Sequence, residues 1–503
     1  MQATDKLTST DKLLLALIFF GLVLRLLFAP PIWNRGEARE GLVVQGIVHN
    51  QQWILPFRNG ELPSKPPLFH WLAATDALIL GESDFSTRLP SGIGAAVMIT
   101  VTFMMGRAMG GRMTGWLAVG ALLGMYDFWH AAGQARVDMV FSASVTAAIA
   151  GFYFWYRNRS ETARTTCYVA TICAVLAKGP LGIALVGLVI LSFLVAERRP
   201  RLLWTFWSWP MVGLALVVIG GWYGLAYAIG GGKFLAWQIG VENVERFVGG
   251  EAFPRQRMYL NTALWLATRT LPWNLALLWS AFQWRRGVSE NSDGRLLHAW
   301  WLAMFCLFSA AASARAVYFL PLLPAIGLLA ARALTAAILR PTVTSNADGI
   351  NAAMLHRPSA TSWIGLGIVV CDLIFMFVSY GTWRDDHQLN DRLAFEKKVK
   401  ASVSAQAPFF AAPMFDVDDV MVLAYRLKRP IERKPLACAR PNDYFLAPTD
   451  NPAAEKVQVV ASMARSPVAL VRIIDENPVV GGEACPSQNF RASIRETINA
   501  GSN

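Results

Sequence analysis

Lys12 to Pro30 reads KLLLALIFFGLVLRLLFAP, an apolar run in which Arg25 is the only charge after Lys12. Its length matches the roughly 20 mostly apolar residues that a helix needs to cross a bilayer. Lys6 and Lys12 stand at its start and no small-residue cleavage site follows, so it reads as a retained span rather than a signal peptide. Moving outward, comparable runs recur at 89–106, 113–129, 138–156, 165–177, 180–196, 203–229, 258–283, 296–312, 316–339 and 362–382. In hydrocarbon every backbone polar group must be satisfied within the segment, so such runs predict helices. The expected fold is an all-α polytopic bundle of about eleven transmembrane helices.

Composition agrees with that reading. The 503 residues are 54% hydrophobic and 16% charged, with 19 Trp and 28 Phe. Soluble domains carry about 25% charged residues. A net charge of +12 would point to nucleic acid in a soluble chain. Here the arginines cluster between apolar runs, so they are read as topology signals facing a lipid bilayer, with no nucleic-acid partner. Alternate loops hold Arg107 and Arg112; Arg157, Arg159 and Arg164; Arg198, Arg199 and Arg201; Arg285, Arg286 and Arg295; Arg340 and Arg357. The positive-inside rule then puts the N-terminus in the cytoplasm and residues 383–503 on the far side of the membrane.

The opposite loops break the rule. Loop 31–88 holds Arg35, Glu37, Arg39, Glu40, Arg58, Glu61, Lys65, Asp84 and Arg88, and the next outer corner holds Asp127, His130, Arg136 and Asp138. Lys178 stands at a later corner, Glu242, Glu245, Arg246 and Glu251 in loop 230–257, and Arg315 in SARAVYFLP. Cations with carboxylates at the membrane surface suit an anionic, membrane-borne substrate. Within loop 31–88, residues 37–50 and 68–81 are expected to lie on the membrane as helices too short to span. Between them Pro66 and Pro67 stiffen the chain just after Lys65, which makes that lysine a candidate phosphate ligand.

In order along the chain stand GEAREG, WILP, NGE, SKPPLFHW, STRLPS, GQARVDM, LAKGP and ARAVYFLPLLPAIGLLAA. Together they resemble bacterial GT-C type membrane glycosyltransferases of the aminoarabinose transferase and protein mannosyltransferase superfamily. The resemblance covers residues 12 to about 340. It implies transfer of one sugar from an undecaprenyl-phosphate-linked donor to an acceptor, at the periplasmic side of a bacterial inner membrane. Such chemistry needs a carboxylate to take the acceptor's proton and cations to hold the departing phosphate. Family members carry an Asp-Glu pair in the first outer loop, where this chain has Gly36 and Glu37. Glu37 is therefore the first expectation for the base and Asp138 of RVDM the second. Lys65 is similar to the family's phosphate-binding lysine, and Arg58, Lys178, Arg246, Arg315 and Tyr318 are further expected phosphate ligands. A divalent metal stays open. Ser64 precedes Lys65 and loop 230–257 has no histidine, which leaves Glu61, Glu245 or Glu251 to rebuild such a site.

The expected division is a transmembrane module over 1–382 and a periplasmic α/β domain over 383–503. In the latter, Cys438 and Cys485 are expected to pair in an oxidising compartment. Lipid A is the nearest-family acceptor, with another glycolipid, a polysaccharide or a protein as alternatives. A different class, a transporter or flippase for a lipid-linked sugar, would show charges near the bilayer midplane and internal repeats. Here the charges gather at one face, and no repeat is found.

Overall fold

The computed structural model describes residues 7–58, 61–251, 258–285, 291–339, 362–368, 370–371, 374, 387–404, 407–412, 417–434, 440–448, 457–462 and 468–473. Most of the expected span 362–382, the stretch before it that holds Arg340 and Arg357, and the Cys438–Cys485 pairing lie outside these residues.

The first helix, α1 (Ser9–Leu27), opens with a capping box in which the Thr8 hydroxyl accepts from the Asp11 amide. The Asp11 carboxylate is buried and accepts from Arg112 Nε at 2.7 Å and Trp116 Nε1 at 3.0 Å, which ties α1 to its neighbour. Two helices lie in loop 31–88. Helix α2 (Arg35–Asn50) starts at an Asn34 cap, and α3 (Leu68–Leu80) follows directly on Pro66 and Pro67. Proline is tolerated at a helix start because its missing N–H has no partner there anyway.

Helix α4 (Asp84–Leu123) folds back on itself at Gly110 and Gly111, the latter at φ 88°. This turn separates the two expected spans 89–106 and 113–129. A Cβ on Gly106 would lie 2.9 Å from Gly115 Cα, so the two limbs touch through backbone. The second limb ends earlier than expected, and α5 (Tyr126–Ala132) forms a separate short helix. Then come α6 (Val137–Asn158), α7 (Glu161–Lys178) and α8 (Leu181–Ala196). Helix α4 packs on α6 and on Leu323–Leu339, and α6 packs along α7. Trp116 and Phe103, with ring centroids 4.7 Å apart, are wholly buried at that core.

Two expectations are corrected downstream. The stretch 230–257 was read as a loop, yet the helix Trp209–Val248 runs through most of it with a bend at Gly231. Its distal part is amphipathic in the inverse sense: Gln238 and Glu242, one turn apart, are the buried residues. The expected span 258–283 is two helices, Met258–Arg269 and Leu275–Arg285. Pro272 lies between them and cannot continue the ladder. The Asn274 amide there donates to the carbonyls of Leu266 and Ala267 at 2.9 and 3.0 Å, satisfying the end of the first helix.

Among the described residues, Asp84–Leu123, Val137–Asn158, Trp209–Val248 and Ala316–Ile338 are long and apolar enough to cross a membrane. Residues 387–473 hold two helices, His387–Ser402 and Val417–Leu427, and a mixed five-stranded sheet. The strands are β1 (Phe409–Ala411), β2 (Glu432–Arg433), β3 (Tyr444–Pro448), β4 (Val457–Ser462) and β5 (Val468–Ile473), in the order β2-β1-β3-β5-β4. Helix Val417–Leu427 sits on α2: Tyr425 Oη donates to Asp84 at 2.7 Å and its carbonyl accepts from Gln45 at 3.0 Å.

Candidate active site

Charged side chains converge from helix ends. Asp138 lies in the first turn of α6 and Lys178 in the last turn of α7, where macrodipoles favour an anion and a cation respectively. Lys178 Nζ donates to Asp138 Oδ1 at 2.6 Å, with both side chains 5% exposed. Arg136 Nε approaches the other carboxylate oxygen at 3.3 Å. Lys178 Nζ also stands 4.2 Å from the centre of the Tyr318 ring, a cation–π distance. Tyr318 belongs to a short 3₁₀ segment, Ala316–Leu322, that opens directly after Arg315.

The same tyrosine leads into a second group. Arg246 Nη1 donates to Tyr318 Oη at 2.8 Å, and Arg246 Nη2 donates to Glu242 Oε2 at 2.8 Å. Lys65 Nζ donates to the same Glu242 oxygen at 2.7 Å. Burial pulls the Lys65 ammonium below its usual range, against the opposing pull of Glu242. Burial likewise lowers Arg315, with Tyr318 opposing and the Arg246, Arg39 and Arg136 charges adding to it. Those charges place Arg315 among the same cations.

A third group completes the cluster. Arg39 Nε and Nη2 both donate to Glu40 Oε1, at 3.0 and 2.6 Å. Glu40 Oε2 lies 2.8 Å from His70 Nε2. Burial pushes the Glu40 carboxyl up, but Arg39 and His70 together hold it well below the usual carboxylate range. The charges of Glu242 and Asp138 act on Arg39, so the three groups lie within electrostatic reach of one another. Six cations (Arg39, Lys65, Arg136, Lys178, Arg246, Arg315) thus stand with three carboxylates (Glu40, Asp138, Glu242). A cationic excess held on rigid helix ends is suited to binding a phosphate group.

Two expected residues are engaged in pairs of their own. Glu37 accepts from Arg88 Nε at 2.7 Å and Nη2 at 3.0 Å, from the Ala135 amide at 2.8 Å and from the Asn34 amide nitrogen at 2.5 Å. Its oxygens are committed to pinning α2 against α4 and the turn before α6. Arg58 pairs at 2.6 Å with Glu61 across a local bridge, which also occupies one expected metal ligand. Among the described residues, no group of three or more His, Cys, Asp or Glu is arranged to hold a metal ion.

Arg39, Glu40 and Glu242 stand among the outer charges in the sequence but, like His70, carry no expected site role there. Glu242 and Arg246 have the i, i+4 spacing of a helical ion pair, a signal hidden by reading 230–257 as a loop. Glu40 and His70 are thirty positions apart, and nothing in their spacing announces the contact.

Residues 64–223 match the family model described as dolichyl-phosphate-mannose-protein mannosyltransferase. An undecaprenyl phosphate-alpha-4-amino-4-deoxy-L-arabinose arabinosyl transferase of Shewanella sediminis is 25% identical over 73% of this chain and 66% of its own length. A relative of the same description in Pseudomonas fluorescens is 26% identical over 63% of this chain and 56% of its own. The chain therefore spans just under two thirds of one relative and little over half of the other. In fold, the crystal structure of ArnT from Cupriavidus metallidurans bound to undecaprenyl phosphate superposes with a TM-score of 0.74 at 17% identity, covering 94% of this chain and all of that one. An Archaeoglobus fulgidus oligosaccharyltransferase in the apo form gives 0.50 at 12% identity, over 84% of this chain and 64% of that one. In sequence this chain is similar to the mannosyltransferase family model and to these aminoarabinose transferases, and in fold it is similar to the ArnT structure.

Proposed function

We propose that the protein is a glycosyltransferase that moves one sugar from an undecaprenyl phosphate carrier to a lipid A-like glycolipid or another envelope acceptor, at the periplasmic face of a bacterial inner membrane. The observation that carries this reading is the Lys65–Glu242–Arg246–Tyr318 network beside the Asp138–Lys178 pair. The donor's leaving group is a phosphate. Lys65, Arg246 and the Tyr318 hydroxyl are the groups that would receive its oxygens, taking them in place of Glu242. Lys178 and Arg315 would add charge from behind. In an inverting displacement the acceptor oxygen attacks the sugar's C1 as the C1–O bond to phosphate breaks, and the electron pair goes to the phosphate. Cations preorganised around that oxygen stabilise the charge that develops on it. The names of the relatives point to 4-amino-4-deoxyarabinose as the first sugar to test.

A flippase reading gains little from this arrangement. Asp138, Lys178 and Arg315 sit at helix ends rather than mid-helix, which suits chemistry at a surface more than passage through the bundle. The test is mass spectrometry of envelope glycolipids and glycoproteins from cells with the gene, without it, and with Lys65→Ala or Arg246→Ala. A sugar-bearing product present only with the wild-type gene supports the reading. An unchanged envelope, or full modification by both variants, overturns it.

A further inference from the structure

Sugar transfer requires a proton to leave the acceptor hydroxyl, and most carboxylates of the site are poorly placed to take it. Asp138 is held by Lys178 and Arg136, and Glu242 by Lys65 and Arg246. Glu37 is held by Arg88. Each is paired with cations that stay charged at neutral pH, so its oxygens are already engaged. Glu40 differs because one of its partners is the His70 imidazole, whose ring nitrogens can accept a proton as well as donate one.

The geometry of that pair has a consequence for the imidazole. His70 is 1% exposed and Glu40 3%. An ionised Glu40 accepts at Oε2, so His70 Nε2 carries the hydrogen and Nδ1 is left with a bare lone pair. His70 Nδ1 is buried and, among the described residues, has no hydrogen-bond partner. A buried polar atom left unpaired is costly and calls for an explanation, a bound ligand being one. His70 is in the first turn of α3, directly after the Lys65-Pro66-Pro67 turn, so the imidazole and the phosphate-binding ammonium share one short rigid segment.

Resting on the glycosyltransferase reading, we infer that His70 is the proton acceptor of the reaction and that Glu40, anchored by Arg39, is its positioning residue. As the acceptor oxygen bonds to C1, its proton passes to His70 Nδ1. The imidazolium formed is neutralised by Glu40, and the phosphate leaves with the electron pair of the broken bond. No oxidant or further reactant is needed. The carboxylate expected at position 36 is thereby replaced by a carboxylate–histidine pair one helical turn along α2.

The experiment measures envelope product by mass spectrometry, over pH 5 to 8 on the periplasmic side, for wild type, His70→Gln, Glu40→Gln and Glu40→Asp. Undecaprenyl phosphate binding to the purified chains is measured alongside. His70→Gln is expected to lower transfer by about 10²- to 10⁴-fold, the usual scale of general-base loss, while binding changes less than about threefold and the acidic limb of the pH profile disappears. Removing the Glu40 charge lowers the histidine's affinity for a proton, so Glu40→Gln moves that limb to lower pH, and Glu40→Asp restores part of it. Transfer by His70→Gln within threefold of wild type overturns the inference. So does an unmoved limb, or a parallel loss of undecaprenyl phosphate binding, which would mark a purely structural role. A wild-type chain that binds undecaprenyl phosphate but yields no product, or binds none, overturns the glycosyltransferase reading itself.

Discussion

At the scale of single residues, pairs that hold the fold differ from pairs that the proposed donor phosphate would enter. Glu37 and Arg88 belong to the first kind, each side chain being 3% exposed and every Glu37 oxygen engaged. Removing one partner leaves a buried charge uncompensated, which costs about 3–5 kcal/mol. Glu37→Ala and Arg88→Ala are each expected to lower thermal stability in nanodiscs by that amount, and the double variant by less than their sum; additive losses would show that the two do not act as a pair. Lys65 belongs to the second kind. Its depressed ammonium pKa means that the free site loses this charge at a pH below the ordinary 10.5. Undecaprenyl phosphate binding should therefore weaken as pH rises toward that value, and Lys65→Arg should remove the alkaline limb. A profile unchanged by that substitution would put the phosphate elsewhere.

At the scale of elements, the helix that carries Glu37, Arg39 and Glu40 is clamped from behind by the C-terminal segment. A Cβ on Gly41 would lie 2.3 Å from the Tyr425 ring, a distance at which something must move. Gly41→Ala is expected to loosen helix Val417–Leu427 and speed its cleavage in limited proteolysis, and adding Tyr425→Ala should restore protection. Equal cleavage of wild type and Gly41→Ala would mean that the ring swings away at no cost. Much at this scale was legible in the sequence. The apolar runs marked α1, both limbs of α4, α6 and α8, and the flanking prolines marked the start of α3. Trp209–Val248 was not legible past Gly230, because three successive glycines and a polar composition read as a loop while the buried face is the polar one. Pro272 was visible, yet the apolar residues on both sides hid the break it makes.

At the scale of the whole molecule, the fold brings together residues from five separate stretches: α2, the Lys65 turn with α3, the α6–α7 pair, the distal end of Trp209–Val248 and the corner at Arg315. Sequence order supplied most of the cations, because charges that oppose the topology pattern stand out against apolar runs. Glu37 stands in the right motif but turns toward Arg88, whereas Glu40, three residues on, turns toward Arg39 and His70. Which carboxylate faces the cluster is decided by tertiary partners that spacing does not reveal.

The account rests on a polyprenyl phosphate binding where Lys65, Arg246 and Tyr318 meet. A structure of the full chain in a lipid nanodisc with undecaprenyl phosphate tests this directly. The phosphate is expected within hydrogen-bond distance of Lys65 Nζ, Arg246 and the Tyr318 hydroxyl, with Glu242 displaced from the lysine. A phosphate bound away from these three groups, with the Lys65–Glu242 pair intact, would contradict it.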